Sequence, residues 1–202
     1  MIKKNCILDY GLGNILSLKN TLNYLGLNNF YYSEERNSKF DSLIIPGVGS
    51  FNQAINLLKE KNLVSIIDQA INDGKLVVGI CLGMQILFKK GFENGKTKGL
   101  NYFDGDVIKI ESKSKIKLPH IGWKKTNFLN KKLSRYSGQK FYYVHSYICN
   151  PASQENILAN SNYKDIKFTA AITKKNIVGF QFHPEKSGEV GINLLKDVLE
   201  SI

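Results

Sequence analysis

The 202-residue sequence predicts an α/β fold, in which a doubly wound parallel sheet in the first half carries antiparallel additions in the second half. Three observations support this prediction. Up to Gly99, short apolar runs alternate with segments of helical periodicity, as in strands joined by crossover helices. Residues 76–80 form a continuous apolar run, which is typical of a parallel strand buried on both faces. After Gly99, strand-like runs follow one another, which indicates antiparallel pairing.

The elements of the first half follow from spacing and from end signals. Residues 6–8 predict the first strand, and the next helix begins at the N-cap residue Asn14 and ends at Gly26. The apolar residues of this helix recur every three or four positions. The same reasoning predicts a strand at 43–45, helices around 51–58 and 66–71, and a strand at 76–80.

The second half predicts a meander of strands and a closing helix. The predicted strands are 107–110, 141–144, 168–172 and 177–180. Val190, Leu194 and Val198 lie near helical spacing and predict the last helix. The sequence contains no linker, repeat or low-complexity tract, and its length suits one domain, so we predict a single domain over residues 1–202.

The cysteine and histidine positions argue against disulfides and metal sites. The three cysteines include no CxxC pair, and the three histidines are far apart in sequence, so we predict no metal and no cofactor. No apolar segment reaches the roughly 18 residues that span a bilayer. The N-terminal apolar run is too short for a signal peptide, so we predict a cytoplasmic protein without membrane contact.

The net charge of +11 raises the hypothesis of nucleic-acid binding. The lysines are scattered, however, and clusters such as Lys131 and Lys132 are short. No recognised nucleic-acid-binding motif accompanies them. We therefore interpret the charge as a solvated surface, with a basic patch for an anionic partner as the alternative, and we predict no nucleic acid.

Residues 79–83 read Gly-Ile-Cys-Leu-Gly, the cysteine counterpart of the G-x-S-x-G nucleophile elbow. In such a turn the nucleophile, here Cys81, stands between a buried strand and a helix, and small residues at the flanking positions let these elements approach. The start of the helix favours thiolate, and the amide of Leu82 points to where an oxyanion forms. A buried structural cysteine is the alternative interpretation, which we apply to Cys6 and Cys149.

A thiolate nucleophile needs a histidine base and a polar group that orients it. His183 follows an apolar strand and has Glu185 two residues later, a spacing that places both side chains on one side of an extended chain. Pro184 fixes the backbone between them. A surface histidine is the alternative, and the competing candidates His120 and His145 lack a carboxylate at this spacing.

These motifs together resemble the class I (triad) glutamine amidotransferases and, within them, the glutaminase subunits of imidazole glycerol phosphate synthase. The resemblance runs nearly from end to end. The matching segments are DYGLGN at 9–14, PGVGSF at 46–51, GICLGMQ at 79–85, PHIGW at 119–123, VHSY at 144–147 and QFHPEKS at 181–187. It implies the flavodoxin-like fold of that class. A cysteine protease or an α/β-hydrolase fits less well, because hydrolases place the acid before the histidine.

The resemblance implies a role for each site residue. Cys81 would attack the side-chain amide of L-glutamine, His183 would shuttle protons, and Glu185 would orient His183. The oxyanion hole would come from Leu82 and from Val48 or Gly49. The implied substrate-binding residues are Gly47, Gln85, His145, Ser146 and Tyr147.

The resemblance also implies a partner. The ammonia would pass to a cyclase subunit, in a heterodimer that makes imidazole glycerol phosphate and AICAR in histidine biosynthesis, and His120 and Trp123 would lie near the partner face. Lys124 departs from the asparagine that the family usually has there, so a glutaminase that feeds a sugar amidotransferase of surface-polysaccharide biosynthesis stays open. A non-catalytic interaction module is a third hypothesis, which the intact triad disfavours.

Overall fold

A computed structural model describes residues 3–36, 38–112 and 115–201. Its strands form a nine-stranded mixed sheet and a separate four-stranded sheet. The strands are β1 (Lys4–Ile7), β2 (Asn28–Tyr31), β3 (Ser42–Ile45), β4 (Leu76–Ile80), β5 (Phe88–Gly91), β6 (Thr97–Lys98), β7 (Phe103–Lys109), β8 (His120–Phe128), β9 (Lys140–His145), β10 (Tyr147–Pro151), β11 (Ile157–Tyr163), β12 (Ile166–Lys174) and β13 (Ile177–Phe180).

The helices alternate with the strands of the first half and close the chain. The α-helices are α1 (Ile15–Tyr24), α2 (Phe51–Glu60), α3 (Val64–Asn72), α4 (Leu82–Gln85) and α5 (Gly188–Ser201), and the 3-10 helices are Lys131–Tyr136, Gln154–Asn156 and Pro184–Lys186. Asn14 caps α1 as predicted, because its side chain accepts the Ser17 N–H at 3.2 Å. None of the described helices is long and apolar enough to cross a membrane.

The parallel half of the large sheet has the order β2-β1-β3-β4-β13, in which every neighbouring pair is parallel. This is the flavodoxin-like order, and it confirms the predicted doubly wound sheet. Apolar residues of α2 and α3 pack in one buried cluster, and those of α1 and α5 pack in a second cluster. Strands between these two layers are buried on both faces, which explains their continuous apolar runs.

The antiparallel additions are present, but the prediction of one meander is wrong. Strands β12, β11, β8 and β9 continue the large sheet, whereas residues 107–109 lie in β7, which pairs with β10 and β5 in the second sheet. In β7 the two fully buried side chains, Phe103 and Val107, contact the cluster that contains α2 and α3. Burial on a single face therefore holds this strand against that cluster and outside the large sheet.

Sequence analysis missed β2, β5, β6, β8, β10 and β11. Most are short, and the longest, β8, carries Lys124 and Lys125 among its nine residues. Its buried side chains alternate with exposed ones, so half of its surface is polar. His120 begins this strand, opposite His145 of β9.

Candidate active site

Cys81 stands in a strained turn between β4 and α4. Its backbone has φ 55° and ψ −108°, a combination that few non-glycine residues adopt. A hydrogen bond to the neighbouring strand holds this conformation, because the Cys81 N–H donates to the Phe180 carbonyl at 2.6 Å. The sequence prediction of an elbow at this position is therefore correct in its backbone geometry.

The two glycines of the motif make the turn possible. A Cβ on Gly83 would lie 1.8 Å from the Ile45 carbonyl oxygen, and a Cβ on Gly79 would lie 2.7 Å from the Gly83 oxygen. Both neighbours are backbone atoms, which cannot rotate away as a side chain can. The expectation that these positions must be small is confirmed, although the helix that follows is only a single turn long.

His183 and Glu185 form a buried pair, as predicted from sequence. The His183 Nδ1 and the Glu185 Oε1 are 2.9 Å apart, and both side chains are almost fully buried. The reason given for this contact was wrong, because Glu185 does not continue an extended chain. His183 is extended, but it precedes the 3-10 helix Pro184–Lys186, and that turn brings the carboxylate back to the ring.

The surroundings of His183 favour its protonated form. Burial opposes a charge on the ring, but the Cys81 sulfur and the Glu185 carboxylate outweigh this effect and raise the pKa of His183 well above its ordinary value. Within the described residues, the His183 Nε2 has no hydrogen-bond partner. Because Nδ1 is held by Glu185, Nε2 is the nitrogen that can exchange a proton with a reacting group.

Replacing Glu185 by glutamine is expected to lower the pKa of His183 and to reduce turnover by up to about 10⁴-fold. The amide keeps the size of the side chain but removes the negative charge that stabilises the imidazolium, and it can also hold the ring in the wrong tautomer. A pH titration of the His183 ring nitrogens by NMR measures the pKa directly. An unchanged pKa in the folded variant would contradict the role of Glu185.

A pocket of about 200 Å³ opens beside the nucleophile. It is lined by Val48, Gly49, Cys81, Leu82, Gln85, Glu93, Val144, His145, Ser146 and Tyr147. These include all the predicted oxyanion residues and every predicted substrate-binding residue except Gly47. Gly47 does not line the pocket and is closely packed, since an added Cβ would lie 2.6 Å from the Tyr10 hydroxyl and 2.9 Å from the Leu82 Cβ. A larger, more open cavity between Lys131–Tyr136 and α5 contains none of the predicted site residues.

The two segments that are predicted to form the oxyanion hole both line this pocket. Leu82 is the first residue of α4, so its N–H has no acceptor within the helix. Val48 and Gly49 follow β3, and Gly49 has φ 125°, a conformation that glycine adopts at little cost. The oxyanion hole at these two segments therefore stays a prediction, which their place in the pocket lining supports.

Glu93 also lines the pocket, and sequence analysis missed it. It lies in the turn after β5, and its Oε2 accepts the Phe51 N–H at 2.7 Å at the start of α2. No local sequence signal distinguishes Glu93 from the other acidic surface residues. Its position depends on the second sheet, of which sequence analysis predicted one strand.

Comparisons with known proteins agree with this geometry. The model of the family "Glutamine amidotransferase class-I" matches residues 6–201. The imidazole glycerol phosphate synthase subunit HisH of Lactococcus lactis is 40% identical over 205 residues, covering 100% of both chains. The protein of the same name from Caldanaerobacter subterraneus is 42% identical, covering 97% of each chain.

Solved structures share the fold at low identity. A structure of PurLQS from Thermotoga maritima has a TM-score of 0.77 at 18% identity, covering 98% of each chain. A crystal structure described as a glutamine amidotransferase has a TM-score of 0.75 at 15% identity, covering 98% of this chain and 99% of its own. These structures agree with the fold, and the family match together with the HisH relatives shows that the chain belongs to the class-I glutamine amidotransferase family.

Proposed function

We propose that this protein is the glutaminase subunit of an imidazole glycerol phosphate synthase. It hydrolyses L-glutamine to glutamate and ammonia and delivers the ammonia to a cyclase subunit. The observation that carries this proposal is the Cys81 elbow beside the pocket, because the Cys81 sulfur interacts with the ring of His183, which Glu185 holds from its other nitrogen. Lyase activity belongs to the complex, since this chain supplies only the hydrolytic half.

The proposed reaction runs through a thioester. The Cys81 thiolate, whose proton is held by His183 Nε2, attacks the side-chain amide carbon of glutamine, and the resulting oxyanion accepts hydrogen bonds from Leu82 N–H and from the Val48–Gly49 segment. His183 Nε2 gives its proton to the amide nitrogen, so the C–N bond breaks and ammonia leaves. His183 then takes a proton from the water that attacks the thioester. The C–S bond breaks, so glutamate leaves and the Cys81 thiolate stands again beside protonated His183.

The pocket suits the ammonium group of an amino acid. Gln85 Nε2 donates to the Tyr147 carbonyl at 3.1 Å and to Gln181 Oε1 at 3.0 Å, so both of its N–H groups are used. Gln85 can then offer only its carbonyl oxygen to a substrate. The Gln85 carbonyl oxygen and the Glu93 carboxylate are thus acceptors in the pocket lining, which supports binding of the α-ammonium group.

Replacing Glu93 by glutamine is expected to raise the KM for glutamine about tenfold or more, the order of one hydrogen bond to a charged group. The amide oxygen can still accept the Phe51 N–H, so the start of α2 keeps its partner. We expect kcat to change little, because the proposed binding mode pairs Glu93 with the α-ammonium group and not with the amide that reacts. Steady-state kinetics check this, with the exposed Glu60→Gln as the matched control.

The proposal also names the partner subunit that receives the ammonia. The curated relatives are named as subunits of imidazole glycerol phosphate synthase, which supports a heterodimer with a cyclase in the cytoplasm. On β8, Ile121 and Trp123 are 60% and 49% exposed, and such large apolar side chains suit a protein partner. A sugar amidotransferase is the alternative partner, since Lys124 departs from the family pattern.

Glutamate release from glutamine tests both the proposed glutaminase activity and the proposed cyclase partner. The purified chain is measured alone, with an imidazole glycerol phosphate cyclase, and with that cyclase and its nucleotide ligand. Stimulation by the loaded cyclase is expected. Glutamate release that does not change when this cyclase is added would support the glutaminase activity and exclude this partner. No glutamate release under any of the three conditions would contradict the proposed function.

A further inference from the structure

Gln181 has no role in the reaction described so far, although it lies against the nucleophile. Its side chain is fully buried, and its Nε2 is 3.7 Å from the Cys81 sulfur. We propose that Gln181 is a positioning residue that donates a hydrogen bond to the Cys81 sulfur, fixes its direction and stabilises its thiolate form. This inference rests on the proposed function, in which Cys81 is the nucleophile.

The orientation of the Gln181 amide follows from its neighbours. The Tyr147 carbonyl can only accept a hydrogen bond, so the group of Gln85 that faces it at 3.1 Å must be the NH₂. The same NH₂ contacts Gln181 at 3.0 Å, and the Gln181 atom in that contact must therefore be its oxygen. The remaining end of the Gln181 amide is the NH₂, which faces the sulfur.

The Tyr147 carbonyl, at which this chain of hydrogen bonds ends, is itself held in place. The Tyr147 carbonyl also accepts from His145 Nδ1 at 2.9 Å, so both of its lone pairs are used. Burial lowers the pKa of His145 to about 3, so the ring is neutral and its Nε2 accepts from His120 Nδ1 at 3.1 Å. The backbone of Gln181 is fixed as well, since its N–H donates to the Ala170 carbonyl.

The contact favours the thiolate over the thiol. As a thiol, Cys81 can donate its S–H to the Val144 carbonyl at 3.8 Å. The thiolate loses that bond, but it accepts the Gln181 N–H more strongly than a neutral sulfur does. The protonated His183 ring then provides the counter-charge, because it interacts with the Cys81 sulfur. Gln181 and His183 therefore both act on the sulfur.

The other titratable groups around Cys81 are shared by the wild type and any Gln181 variant. They are Tyr10, Glu93, His145, Cys149 and His183, with Glu185 behind His183. A difference in the pH behaviour of the sulfur between the wild type and a Gln181 variant therefore reports on Gln181. Alkylation by iodoacetamide measures this behaviour without glutamine, because the thiolate is the reactive form.

The test is the pH profile of Cys81 alkylation, followed by mass spectrometry of its peptide in the full chain. In Gln181→Met, the midpoint is expected to rise by about one pH unit and alkylation at neutral pH to slow about tenfold, the order of one hydrogen bond to a charged group. Gln181→Glu keeps an acceptor for Gln85 and places a carboxylate oxygen by the sulfur, so its midpoint is expected to rise further.

Asn5→Leu is the matched control, because Asn5 is a buried amide that bonds to Asn28 and Ser42 far from the pocket. It is expected to cost stability without moving the alkylation profile. A wild-type profile in whichever Gln181 variant folds, or an equal shift in Asn5→Leu, would overturn the inference. If the alkylation midpoint shifts in the Gln181 variants but the wild-type chain releases no glutamate, the role of Gln181 toward the sulfur is supported and the proposed function is contradicted.

Discussion

Replacing Cys81 by alanine is expected to reduce glutamate release from glutamine by roughly 10⁴-fold or more, the scale seen when a covalent nucleophile is removed. The reason is that no other group near the pocket can form the thioester. Cys149 is buried in β10, and burial raises the pKa of its thiol well above the ordinary value, so it cannot replace Cys81. Substrate binding is expected to survive, since the pocket amides and Glu93 are unchanged.

The measurement is glutamate release in the presence of the stimulating partner, where the wild-type signal is largest. Cys6→Ala is the matched control, because Cys6 is a buried thiol of β1 and does not line the pocket. It is expected to lose some stability and to keep full turnover. Full turnover in Cys81→Ala would end the assignment of the triad, whatever the family resemblance suggests.

Sequence reasoning succeeded where local signals and tertiary packing agree. Strand β4 is a continuous apolar run because the sheet buries both of its faces. The elbow after it needs glycines, and these are identified directly in the sequence. The helices α2 and α3 kept their predicted positions because each buries one periodic face. These features can be read without knowing what they pack against.

The missed features depend on partners that are distant in sequence. Glu93 reaches the pocket because β5 pairs with β7, and Gln181 reaches Cys81 because β13 lies beside β4. For His183 and Glu185, the pair was predicted and its geometry was not, since a 3-10 turn at Pro184 replaces the expected extended chain. Proximity across the sheet leaves no spacing pattern for sequence analysis to detect.

Replacing Gly83 by alanine is expected to lower the free energy of unfolding by about 3 kcal/mol or more. The new Cβ would lie 1.8 Å from the Ile45 carbonyl oxygen, so α4 must move away from the C-terminal end of β3. That movement carries the Leu82 amide out of the oxyanion position. We therefore expect any folded fraction to release glutamate much more slowly than the wild type.

Gly74→Ala separates this steric effect from the general cost of removing a glycine. Gly74 has φ 72° and an added Cβ would meet nothing within 4 Å, so its replacement is expected to cost about 1 kcal/mol through backbone strain alone. Urea unfolding of both variants gives the two values. If Gly83→Ala is as stable as Gly74→Ala and keeps its turnover, then strand and helix can separate without harm. The close approach at the elbow would in that case not be what holds the nucleophile in its strained turn.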